Sequence, residues 1–157
     1  MVMPADIKSL LSTVSEVQLS YRSQVPASQR PHIRKAEEVY RILLSVWDME
    51  TIELSESFVL LLLNRANRVM GYLTLSQGGI TGTVVDVRLV FVAALKAAAC
   101  NIVLAHNHPS GNLEPSQADR DLTRKIVEAG RLLDIQVIDH LIITPTSYYS
   151  FADQGLL

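Results

Sequence analysis

Apolar positions recur at different periods along the chain, and each change of period marks a boundary between elements. Over residues 32–47, Ala36, Val39, Tyr40, Leu43 and Trp47 fall at helical spacing, which predicts an amphipathic helix packed against a sheet. Residues 58–64 and 69–75 form two strand-like runs separated by Arg65-Ala66-Asn67-Arg68 and read as a hairpin. Asp86 is placed to cap a helix over 87–99, and residues 101–105 are a short apolar run of strand type. Leu122, Ile126, Ala129 and Leu133 return to helical spacing behind Ser116, a natural N-cap, and a further strand follows from Ile135. This order predicts an α/β fold, a mixed β-sheet flanked by helices. Residues 1–31 differ in texture: 14–21 can form a strand, and 23–31 read as a loop rich in Ser, Gln and Pro. The expected division is an N-terminal extension over 1–31 and a domain over 32–157. There is no internal repeat and no low-complexity tract.

Composition narrows the class. A chain of 157 residues with 48% hydrophobic content is one domain with room for a real core. A net charge of -2, with no cluster of Lys and Arg, does not point to a nucleic-acid partner, because duplex binding leans on such clusters. The single cysteine, Cys100, precedes an apolar strand and is expected to be a buried structural thiol; a disulfide framework is excluded, and a reducing cytoplasm is the expected setting. The longest apolar runs, near 58–63 and 89–95, are too short to span a bilayer, and the N-terminus lacks a signal-peptide pattern.

The candidate chemistry lies in His106-Asn107-His108-Pro109-Ser110-Gly111-Asn112-Leu113-Glu114-Pro115-Ser116-Gln117-Ala118-Asp119. Side chains alternate along a strand, so His106 and His108 should project from the same side at its end. Pro109 and the turn-forming Ser110-Gly111-Asn112 should stop pairing just after His108, leaving both rings at an exposed edge open to substrate. Asp119 falls in the first turn of the following helix, where the helix dipole favours a carboxylate that can swing back toward the histidines. Two imidazoles and one carboxylate are the open, three-ligand set of catalytic zinc, with manganese, cobalt or iron as alternatives in vitro. Each residue alone has an ordinary explanation, a surface histidine or a helix-start charge; the combination is what points to a metal. Ser116 is explained fully by capping and stands equally as a catalytic candidate.

The pattern His-x-His-Pro followed by Ser-x-x-Asp resembles the JAMM/MPN+ metalloprotease signature, and His-Asn-His-Pro-Ser-Gly looks like its RadC branch. The resemblance extends from Ile33 through residues 55–64, 78–86 and 133–135 to residues 150–153, most of the chain. It implies an MPN/JAB1, cytidine-deaminase-like fold and a zinc ion on His106, His108 and Asp119, with water as fourth ligand. It also implies a glutamate across the site as general base. Glu50, Glu53 and Glu56 all precede the apolar run, and periodicity does not choose among them. The family pattern places its glutamate two residues before a phenylalanine, here Phe58, and so implies Glu56; where relatives often carry a second acidic residue, this chain has Ser57.

The implied reaction is hydrolysis of a peptide or isopeptide bond in a peptide or protein substrate. Zinc lowers the pKa of its water to roughly 7, Glu56 takes the proton and passes it to the departing amine, and Ser116 donates to the oxyanion. The alternative is a DNA-repair or mobile-element accessory module of the RadC type without peptidase activity. Relatives of that kind often carry a helix-hairpin-helix segment, whose Gly-rich hairpins the first thirty or so residues lack. An inert scaffold is disfavoured because every candidate ligand is retained.

Other features carry weaker expectations. His140 is expected to hydrogen-bond in the core or behind a ligand. Tyr148-Tyr149 with Phe151 should pin the C-terminus to the domain. Gly78-Gly79 and Gly82 read as a turn, with strand addition by a peptide as the alternative, and an exposed sheet edge would permit a homodimer.

Overall fold

A run of seven consecutive buried residues, Ser57–Leu63, forms the strand on which the rest of the fold is built. Such a run stays buried only if both faces of its sheet are covered. The computed structural model describes residues 13–18, 20–78 and 84–157. After a 3₁₀ turn at Ala27–Gln29, its elements in chain order are α1 (Ala36–Val46), β1 (Ser57–Leu63), β2 (Val69–Gln77), α2 (Val87–Lys96), β3 (Asn101–Asn107), α3 (Gln117–Leu132), β4 (Gln136–Ile143) and β5 (Tyr148–Ser150). The five strands make one mixed sheet in the order β2-β1-β3-β4-β5. β1 is antiparallel to both β2 and β3, β3 is parallel to β4, and β5 returns antiparallel along β4. The α/β reading therefore holds.

Alternation along β1 divides the interior into two cores. Phe58, Leu60 and Leu62 join Val90, Phe91 and Ala94 of α2 and Ile126 of α3. Val59, Leu61 and Leu63 face the other way, toward Val39 and Leu43 of α1 and Trp47. β3 needs the crossover helix α3 to reach a parallel neighbour, and α3 presses close: a Cβ on Gly130 would lie 2.4 Å from the backbone oxygen of Ile135.

Several expectations are corrected. The helix expected over 32–47 starts only at Ala36, because His32 bridges Arg68 and Lys35 is extended at φ -148°. The helix over 87–99 ends at Lys96; Ala98 takes φ 52°, and the amides of Ala98 and Ala99 turn back to Leu95 and Ala94. Among the described residues of 14–21 there is no strand, and Val14 and Val17 are 66% and 85% exposed, without a sheet neighbour. Cys100 is exposed, not buried: its backbone bonds Leu63 and Gln136 at the sheet's end while the thiol faces outward. Gly79 and Gly82 lie outside the described residues. Among the described residues no helix is long and apolar enough to cross a membrane.

Candidate metal centre

β3 carries His106 into the middle of the sheet. Phe58 of β1 is its register partner, and the two rings stack with centroids 6.0 Å apart. His106 is consequently 1% exposed, which corrects the expectation that both histidines stand at an open edge; only the His108 side chain, 16% exposed, reaches solvent. Pairing stops at Asn107, and Gly111 at φ 78° supports the turn that follows, its amide bonded to the carbonyl of His108.

α3 supplies the carboxylate. Ser116 caps the helix: its Oγ accepts from the Asp119 amide at 3.1 Å and donates to Asp119 Oδ2 at 2.6 Å, while its own amide donates to Oδ2 at 2.7 Å. This reciprocal capping box aims the other side of Asp119 at the histidines. Asp119 Oδ1 lies 3.2 Å from His106 Nε2, Asp119 Oδ2 lies 3.7 Å from His108 Nε2, and the two Nε2 atoms are 3.0 Å apart. One ligand atom from each of the three residues fits within a 4.8 Å group that could hold a metal ion. Burial pushes the Asp119 carboxyl upward, but its contacts with His106 and the bonds from Ser116 outweigh this and hold it well below the usual range. It is a carboxylate at neutral pH.

The far side of each ring is also held. His108 Nδ1 donates to the carbonyl of Asn112 at 2.5 Å; since a carbonyl only accepts, the proton sits on Nδ1 and a neutral ring turns a lone pair on Nε2 into the site. His106 Nδ1 meets His140 Nε2 at 2.9 Å, and His140 Nδ1 meets Thr123 Oγ at 2.6 Å. His140 is fully buried between Phe58 and Phe151; burial, and then the neighbouring His106, drive its pKa well below the ordinary value. His140 thus stands behind a candidate ligand, as expected, and Phe151 anchors the C-terminal segment against it.

Of the three glutamates ahead of β1, Glu50 and Glu53 are exposed, and Glu56 is half-buried. Glu56 lies just ahead of β1, two residues before Phe58, the register partner of His106. Asn107 fastens this segment from the opposite face of β3. Its Oδ1 accepts from the Ser57 amide at 2.7 Å, and its Nδ2 donates to the carbonyls of Ile52 and Ser55. Neither Asn107 nor Thr123 stands out as a site residue in the sequence. The available signals were strand parity, which turns Asn107 away from the histidines, and the four-residue spacing that places Thr123 one helical turn beyond Asp119. A groove of about 900 Å³ lies elsewhere, at the end of the sheet near Arg65, Cys100 and Gln136, and includes none of these residues.

Residues 33–156 match the family model described as the RadC-like JAB domain. A UPF0758 protein of Flavobacterium johnsoniae is 55% identical over 101 residues, covering 64% of this chain and 44% of that protein. The UPF0758 protein YfjY of Escherichia coli is 47% identical over 102 residues, 65% of this chain and 64% of its own length. A UPF0758 protein of Porphyromonas gingivalis is 35% identical over 148 residues, 94% of this chain and 64% of that protein. The chain thus spans less than two thirds of these relatives.

Proposed function

The chain belongs to the RadC-like JAB domain family, and from that premise we propose that it is a zinc-dependent hydrolase cleaving a peptide or isopeptide bond. The observation that carries the proposal is the convergence of His106 Nε2, His108 Nε2 and the Asp119 carboxylate. Lone pairs aimed at one another at these separations repel unless a cation or a proton lies among them, so the donor set fits a bound metal ion. Two imidazoles and a carboxylate without thiolate favour zinc among common ions. A zinc ion there supplies a water with pKa near roughly 7 and a Lewis acid for a carbonyl oxygen.

The chain's own residues do the rest. Glu56, two residues before the register partner of His106, takes the proton from the attacking water and returns it to the departing amine. Asn107 holds the segment carrying Glu56 by three hydrogen bonds. Ser116 holds Asp119, and its hydroxyl reaches a developing oxyanion only by leaving Oδ2.

The test uses untagged protein and a peptide library prepared from a digested proteome, with new N-termini read by mass spectrometry. Zinc-loaded parent should bind about one zinc per chain and generate new termini. Glu56→Gln should bind zinc equally while turnover falls by about 10²–10⁴-fold. Equal turnover in that variant would remove Glu56 from the mechanism. A zinc-loaded parent that leaves every peptide intact would favour an accessory module without peptidase activity.

A further inference from the structure

We infer that Thr123 and His140 form a buried hydrogen-bond relay that fixes the proton of His106 on Nδ1 and thereby presents a bare Nε2 to the metal. The inference rests on the reading of His106 as a ligand, and it assigns to two buried residues a positioning role that capping and core packing leave unexplained.

Three close contacts run in series: Thr123 Oγ to the main-chain carbonyl of Asp119 at 2.6 Å, Thr123 Oγ to His140 Nδ1 at 2.6 Å, and His140 Nε2 to His106 Nδ1 at 2.9 Å. At these separations each contact needs one hydrogen between its heavy atoms. A hydroxyl and two neutral imidazoles bring three protons in all. The Asp119 carbonyl cannot donate, so the Thr123 proton points to it. His140 must then donate from Nδ1 to Thr123 and accept at Nε2, which obliges His106 to donate from Nδ1. Only this direction fills all three contacts with neutral rings, and it leaves His106 Nε2 without hydrogen, so that a cation takes the place of a proton between it, His108 Nε2 and Asp119 Oδ1. The reverse direction leaves two oxygens 2.6 Å apart with no proton between them and places a hydrogen on the nitrogen that a metal would need.

The relay also explains a polar residue on the inward face of α3. Thr123 is 1% exposed and bonds back along its own helix, an arrangement that competes with the helix for the carbonyl. Here that bond orients the hydroxyl. Because the carbonyl belongs to Asp119, one helical turn provides both a candidate ligand and the anchor that sets the tautomer of another. Outer partners of metal-binding histidines commonly govern affinity in this way.

Two measurements test it. Zinc affinity is read by competition with a chromophoric chelator for the parent, Thr123→Val and Thr123→Ser, with thermal unfolding of the zinc-free proteins confirming that each is folded. Thr123→Val, similar in shape but without the hydroxyl, should bind zinc about 10–100-fold more weakly, and Thr123→Ser should restore affinity to near the parent's. Independently, ¹⁵N-histidine NMR of the zinc-loaded parent should show His140 protonated at Nδ1 and bare at Nε2. Equal affinity in all three proteins, or a His140 protonated at Nε2, would overturn the relay and leave the metal site standing. A parent that binds no zinc would overturn both, so the two failures are distinguishable.

Discussion

Gly130 shows how a single residue constrains the helix that carries Asp119. It is buried near the end of α3, its carbonyl accepts from the amides of Leu133 and Ile135, and a methyl group in place of its hydrogen would sit 2.4 Å from the Ile135 oxygen. That neighbour is backbone, so relief requires α3 to move away from the start of β4. Gly130→Ala should therefore destabilise the zinc-free protein by about 1–3 kcal/mol in urea unfolding, despite alanine's better helix propensity. An unchanged midpoint would mean that the junction yields freely. The requirement was invisible in the sequence, where Gly130 reads only as a tolerated helical glycine. His106, His108 and Asp119 were legible because three ligating side chains crowd a stretch that turns chemistry alone does not call for. His140 was legible as a residue bonding in the core or behind a ligand, but not as the partner of His106, which is 34 positions away.

At the scale of the element, α3 illustrates how one local motif performs two tasks. Ser116 satisfies helix-start amides and simultaneously grips the carboxylate that faces the histidines. Ser116→Ala should lower the stability of zinc-free protein by about 1 kcal/mol, the usual loss for an N-cap hydroxyl, and should weaken zinc binding in the same preparation. Chemical denaturation and chelator competition read the two effects separately; undiminished stability would show that the cap is dispensable. The cap and the helical spacing beyond it could be read locally because both depend on residues a few positions apart. The strand expected over 14–21 failed for the complementary reason: apolar alternation permits a strand but does not provide a partner for its hydrogen bonds. Cys100 likewise has an apolar neighbourhood in sequence, yet the turn that ends α2 directs its thiol outward.

Across the whole molecule, the candidate centre exists only where β1, β3, α3 and β4 meet, and burial there has a consequence for stability. The unfolded chain takes up a proton at His140 near its ordinary pKa of about 6.5, while the folded protein, with that pKa driven well down, refuses it. The unfolded state then binds more protons, so His140 contributes stability that is present above about pH 6.5 and is lost as the pH falls below it. The slope from this one residue is at most about 1.4 kcal/mol per pH unit. Urea midpoints of zinc-free protein at pH 7.5 and 5.5 should differ in that direction, and the dependence should flatten in His140→Gln; a midpoint independent of pH would contradict the buried neutral ring. The sequence by itself determined the α/β order of elements, the capped helix after the turn and the identity of the three candidate ligands. Period, capping and ligand chemistry are carried by neighbours along the chain, which is why they could be read there. Only the tertiary structure decided that His106 is enclosed, that Asn107 secures the segment ahead of β1, and that Thr123 and His140 line up behind His106. Those outcomes depend on strand register and on contacts between residues distant in sequence, which come into being only when the sheet and α3 pack together.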